Sequence, residues 1–209
     1  METDFQVLMS SPTAAYAEAV RFFNGNGMLN DALSRLVRDL ESHEIDYAVI
    51  GAVALNQHGF QRLTVDIDVL LTKDGLDRFR EELVGIGYRP AFEGAKKKFR
   101  TTTENIPVDI ITTGEYPGDG SPIPVAFPNP TDASVNIDGV NTVTLEKLIE
   151  LNMMFVRDGG YVLQSFGDYI NGLVGRKPAA DEGRRKRSIR DVNQVGNAAI
   201  ATVVSDYPS

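Results

Sequence analysis

The run Val65-Asp66-Ile67-Asp68-Val69-Leu70-Leu71 sets two carboxylates inside an otherwise apolar segment, and few folds absorb such a pattern. The stretch from Leu63 to Thr72 is rich in β-branched and aliphatic residues and reads as a strand. Residues two apart on a strand share a face, with Cα atoms roughly 6.5–7 Å apart, so the two carboxylates converge on one spot. Like charges taken out of water must be paired, protonated or bound to a cation. A divalent cation is the simplest compensation. Magnesium takes oxygen ligands, usually one or two protein carboxylates together with water and substrate phosphates. A third acid, Asp109, stands in similar surroundings, Ile106-Pro107-Val108-Asp109-Ile110-Ile111. Three acids on adjacent strands suit two ions about 3.5–4 Å apart, which stabilise the attacking and leaving oxygens of a phosphoryl displacement. Gly51, fifteen positions before Asp66, ends the run Ile45-Asp46-Tyr47-Ala48-Val49-Ile50 and permits close approach of a phosphate to backbone amides.

Composition removes most other chemistries. The chain has no Cys, which excludes disulfides, thiolate nucleophiles and Cys zinc sites. Its two histidines, His43 and His58, offer little to a zinc site or a Ser-His-Asp triad, and His58 reads as a packing or capping residue. With 209 residues, 42% hydrophobic and 24% charged, the chain is long enough for a globular core. The net charge of -8 repels polyanions, so nucleic-acid binding would need a local basic patch, for which 184–190 is the candidate. No run approaches the ~18 apolar residues that span a bilayer, and the first residues do not resemble a signal peptide. A cytoplasmic protein with no membrane partner is expected.

Periodicity lays out the rest. Residues 1–28 read as a loosely attached lead-in with a helical piece from Ala14 to Phe23. Residues 29–143 form the core and 144–209 a helical C-terminal part. Within the core, apolar residues at three- and four-residue spacing predict a helix over Leu29–His43, capped by Asn30 or Asp31. A buried strand over Ile45–Gly51, a short helix over Ala52–His58 and the strand Leu63–Thr72 follow. A helix over Lys73–Ile86 puts Leu76, Phe79, Leu83 and Ile86 on one face and stops at Gly87. Strands over Tyr88–Phe92 and Lys98–Thr103 flank the turn Glu93-Gly94, and Ile106–Thr112 is a further strand. Alternation points Lys98 and Arg100 one way and Phe99 the other. Gly114–Pro130, with three Gly and five Pro, is a long irregular loop of the kind that serves as a lid or rim. Helices are expected at Thr144–Val156, with Leu145, Leu148, Ile149 and Met153 inward, and at Tyr161–Val174. A cationic segment, 176–190, and a weakly helical tail follow.

The string Val49-Ile50-Gly51-Ala52-Val53-Ala54-Leu55, then His58-Gly59-Phe60, Arg62-Leu63-Thr64-Val65-Asp66-Ile67-Asp68 and Val108-Asp109-Ile110-Ile111 resembles the nucleotidyltransferase fold of the DNA polymerase β superfamily. The likeness is to its minimal and AbiEii-like branch. It implies an α/β (α+β) fold, a small mixed sheet flanked by helices, with the metal site at one sheet edge and the helical part closing a cleft. It further implies that Asp66, Asp68 and Asp109 hold Mg²⁺ or Mn²⁺ and are catalytic. Gly51 and Ala52 would seat the nucleotide phosphates, with Arg62, Thr64, Lys98 and Arg100 as further nucleotide-binding residues. The implied reaction moves a nucleoside monophosphate from an NTP to the hydroxyl of a small molecule, a protein or an RNA. Two departures from the family pattern stand out: Ala52 where Gly or Ser is usual, and Asn152 where a lysine is common. The alternative is a non-catalytic module of a toxin-antitoxin pair or regulatory complex, bound to a cognate antitoxin or partner.

Overall fold

The computed structural model describes residues 4–116 and 126–157. It divides into two compact units, one of Met1–Glu115 and Phe127–Thr144, the other of Tyr116–Ala126 and Leu145–Ser209. The expected helix at Tyr161–Val174, the cationic segment 176–190 and the tail lie outside the described residues, as do residues 117–125 of the expected loop.

The first unit is a mixed α/β structure around a seven-stranded mixed sheet, as the sequence predicts in class. Its elements run α1 (Phe5–Met9), α2 (Pro12–Phe23), α3 (Met28–Ser42), β1 (Tyr47–Ile50), α4 (Gly51–Gln57), β2 (Ile67–Leu71), α5 (Lys73–Glu82), β3 (Tyr88–Pro90), β4 (Lys98–Thr101), β5 (Pro107–Thr112), β6 (Ser134–Ile137) and β7 (Val140–Val143). The strand order is β3-β4-β5-β2-β1-β7-β6. β2 pairs parallel with β5 and β1 parallel with β7; every other pair is antiparallel. The described part of the second unit holds α6 (Leu145–Arg157), where Leu145, Leu148 and Ile149 are buried.

One sheet face is apolar and closed. Phe99, Val108, Ile110, Ile67, Val69, Leu71 and Val49 alternate along four neighbouring strands and are all buried. Phe79 of α5 stands 5.0 Å, ring centroid to centroid, from both Tyr88 and Phe99. Each such fully buried side chain contributes about 1.5–3 kcal/mol. Tyr88 donates its hydroxyl proton to Asp39 Oδ2 of α3 at 2.7 Å, and Arg78 of α5 donates to the Glu44 carbonyl at 3.0 Å. These bonds fix α3 and α5 to each other and to the sheet.

Several boundaries differ from expectation, each for a local reason. The cap of α3 is Gly27, whose N–H donates to Asn30 Oδ1 at 3.0 Å, while the buried Glu18 accepts from Met28 N–H. Glu18 and the buried Phe5 and Phe22 tie down the N-terminal helices, which are therefore not loosely attached. Helix α5 ends at Glu82, since Gly85, at φ +92°, turns the chain and donates to the Tyr88 carbonyl. Ile86 is consequently exposed instead of buried. Strands β6 and β7 were not expected at all, and β7 extends the sheet beyond β1.

Candidate active site

The interior strands β1, β2, β5 and β4 carry one transverse row of paired residues. Ile50 lies opposite Asp68, Asp68 opposite Asp109, and Asp109 opposite Lys98. Directly paired residues share a face, so Asp68, Asp109 and Lys98 project side by side from the face opposite the apolar core. Lys98 Nζ donates to Asp109 Oδ2 at 2.6 Å. The row lies across the middle of the sheet and not at its edge, because the β6–β7 hairpin adds two strands beyond β1.

At its β1 end the row meets Gly51. This residue has φ +71°, and a Cβ built on it would lie 2.2 Å from Asp68 Oδ2. The position needs glycine twice over, for the left-handed backbone and for the carboxylate resting against its bare Cα. Burial pushes the Asp68 carboxyl up to about 7, with the nearby Asp66 and Asp109 charges adding to it and Lys98 and Arg62 opposing. The hydrogen bond from Lys98 to Asp109, and then that charge itself, raise the Lys98 ammonium above its ordinary range.

Asp66 reaches this cluster by another route than strand alternation. β2 begins at Ile67, so Asp66 belongs to the connection from α4 and not to the ladder. The reason is a shortage of partners: β1 ends opposite Asp68, where Gly51 turns into α4, and β5 pairs only from Val108, opposite Ile67. The connection is held otherwise. Asn56 of α4 accepts from Arg62 N–H at 2.7 Å and donates to the Arg62 carbonyl at 2.6 Å and the Ala52 carbonyl at 2.9 Å. Thr64 Oγ1 donates to the Asp66 carboxylate. Gln57 accepts from Thr142 Oγ1, and His58 Nε2 pairs with the Val143 carbonyl at 2.8 Å, so His58 is a bracing residue.

The predicted site residues therefore separate into two groups. Asp66, Asp68, Asp109, Gly51 and Lys98 come together, and Arg62 stands close enough to act on Asp68 electrostatically. Thr64 reaches the cluster through Asp66. Ala52 is the second residue of α4 and contributes a carbonyl to Asn56, with no polar side-chain atom. Arg100 shares the strand face of Lys98 but donates to the Asn105 carbonyl at 3.0 Å, turned to the β4–β5 connection. Asn152 lies on α6. Asn56 escapes the sequence reading, since an amide near the end of a short helix carries no pattern of its own.

Among the described residues no group of three or more His, Asp or Glu side chains stands so as to hold a metal ion. Asp109 is engaged by Lys98 and Asp66 by Thr64. The donor chemistry nonetheless fits a hard divalent cation. All donors are carboxylate oxygens, and the Asp68 carboxyl, raised first by burial and then by the Asp66 and Asp109 charges, is one whose charged form a bound cation would favour. Asp66 and Asp68 form the one-or-two-carboxylate share that magnesium takes from a protein.

No family model matches the chain. No curated protein matches it either. Solved structures similar to it include a provisionally assigned nucleotidyltransferase of Thermotoga maritima, at 16% identity and TM-score 0.45, covering 68% of this chain and 92% of that one. An antigenic nucleotidyltransferase-like protein of Paracoccidioides brasiliensis is 16% identical at TM-score 0.46, covering 85% of this chain and 88% of that one. ANT(2'')-Ia in complex with adenylyl-2''-tobramycin is 13% identical at TM-score 0.45, covering 85% and 98%. Likenesses this distant assign neither a residue nor an activity to this chain.

Proposed function

We propose that this chain is a divalent-metal-dependent nucleotidyltransferase, moving a nucleoside monophosphate from an NTP to an acceptor hydroxyl. The observation that carries the reading is the transverse row of Asp68, Asp109 and Lys98 that meets Gly51 at its β1 end, with Asp66 and Arg62 beside it. Carboxylates crowded on one sheet face next to a glycine turn and two cations match what a polyphosphate and its counter-ion require.

Mg²⁺ or Mn²⁺, when held by Asp66 and Asp68 with Asp109 adjoining, would supply charge neutralisation for the triphosphate and a lowered pKa for the attacking hydroxyl. The protein groups do the rest. Arg62 and Lys98 offer N–H donors to phosphate oxygens, a charge-assisted pairing stronger than a neutral hydrogen bond. Asp109 takes the proton of the acceptor hydroxyl as its oxygen bonds to the α-phosphorus. The bond from that phosphorus to the bridging oxygen breaks, and pyrophosphate leaves. Positioning and electrostatics account for the acceleration, since this transfer needs no protein nucleophile.

The test is pyrophosphate release from each of labelled ATP, GTP, CTP and UTP with Mg²⁺ or Mn²⁺, in the presence of small-molecule, protein and RNA acceptors. Release that is lost in Asp66→Ala is expected. No release with any NTP and acceptor contradicts the reading and leaves the binding module.

A further inference from the structure

Asn56 has a use that the row of acids does not explain. Its side-chain amide pairs with both backbone groups of one residue, Arg62, accepting at 2.7 Å and donating at 2.6 Å. This is the hydrogen-bond pattern a neighbouring strand would supply, delivered by a side chain to a segment that has no strand beside it. The third bond, to the Ala52 carbonyl at 2.9 Å, locks the amide to its own helix one turn back. Helix α4 is itself fastened to β7 through Gln57 and His58. Arg62 thus has a rigidly seated backbone six residues after its support, although its side chain is exposed.

Among the described residues the Arg62 guanidinium has no hydrogen-bond or ion-pair partner, yet it lies near enough to lower the Asp68 carboxyl against the effect of burial. Lys98, by contrast, already has one of its three N–H donors on Asp109. A seated backbone carrying an unengaged guanidinium at the mouth of a carboxylate cluster is an arrangement for receiving an anion, not for stabilising the fold. An exposed Arg near half-buried acids contributes little stability by itself.

We infer that Asn56 is a positioning residue, whose amide bracket on Arg62 sets the guanidinium where it takes a phosphate of the nucleoside triphosphate. This rests on the nucleotidyl reading and adds to it the residue on which triphosphate affinity depends. A guanidinium–phosphate pair held in place is worth about tenfold in affinity or more. Without the bracket, the connection 60–66 samples other positions and most of that gain is lost.

Equilibrium binding of a non-hydrolysable ATP analogue bridged by carbon between the α- and β-phosphorus, with Mg²⁺, tests this in the full chain. Arg62→Ala is expected to weaken binding roughly tenfold, Asn56→Ala by nearly as much, and the double variant no more than Arg62→Ala alone. Melting curves confirm that each variant is folded. In parallel, the Arg62 amide proton should exchange with solvent faster in Asn56→Ala. Wild-type affinity in Asn56→Ala, or an additive double variant, overturns the inference and leaves the nucleotidyl reading intact. No binding of the analogue by the wild-type protein overturns that reading and the inference with it.

Discussion

Asp68 has its carboxyl pushed up to about 7 by burial and by its neighbours Asp66 and Asp109, and this makes stability depend on pH in a defined direction. In the unfolded chain the group titrates near its ordinary value of 3.8. Between about pH 4 and pH 7 the folded protein therefore binds more protons than the unfolded one, and metal-free stability falls as pH rises through that window. Asp68→Asn removes the dependence. Because Asp68 is half-buried and partly screened, the gain above pH 7 should be on the order of 2 kcal/mol, or roughly 4–8 °C in melting temperature. Melting wild type and variant without metal at pH 5 and pH 8 checks it: the difference should be full at pH 8, clearly smaller at pH 5, and vanish only near pH 4. At Gly51 a side chain meets both φ +71° and the Asp68 carboxylate. Gly51→Ala should cost about 1–2 kcal/mol from the backbone alone, and it should also drive the carboxylate from its place, abolishing any Mn²⁺-induced rise in melting temperature.

At the scale of elements, Asp138-Gly139 joins β6 to β7 with φ +50° and +86°, the geometry of a two-residue hairpin turn. Gly139→Ala should lower stability by about 1–2 kcal/mol, measured by urea unfolding with an unchanged m-value. That dipeptide, flanked by Ile137 and Val140, is a hairpin signal readable in the sequence. The low hydrophobicity of Ser134-Val135-Asn136 masks it, because β6 is an edge strand with little to bury. The strands β1, a continuous apolar run, and β2, β4 and β5, with their apolar residues set against polar ones, were all legible, as were α3 to within a residue and the start of α5. The end of β2 was not. Strand propensity continues through Leu63 and Val65, but neither β1 nor β5 extends to pair with them, and ladder partners are a tertiary property. Asp66 stands near Asp68, but not by strand alternation: the Thr64 hydroxyl holds its carboxylate in a connection whose backbone Asn56 pins at Arg62. The register that sets Asp68 beside Asp109 and Lys98 depends on sheet order, which no local pattern discloses.

For the whole molecule, the net charge of -8 opposes a triphosphate as much as a polyanion. Lys98 and Arg62 are local exceptions in that field. Nucleotide binding should therefore be weak without a divalent ion and fall with salt, whereas with Mg²⁺ it should strengthen by tenfold or more. Isothermal titration of the same ATP analogue with Mg²⁺ and with a chelator measures both. Equal affinity in the two conditions would mean that the phosphates are held by some other part of the chain.

The central claim is that Asp68, flanked by Asp66 and Asp109, forms a seat for a divalent cation. The most direct measurement is the melting temperature of wild type and Asp68→Asn across a Mn²⁺ titration at pH 8. Binding to the folded state alone raises stability with concentration, so the wild-type protein should gain several degrees and Asp68→Asn none. A Mn²⁺-induced rise of equal size in both proteins would contradict the account.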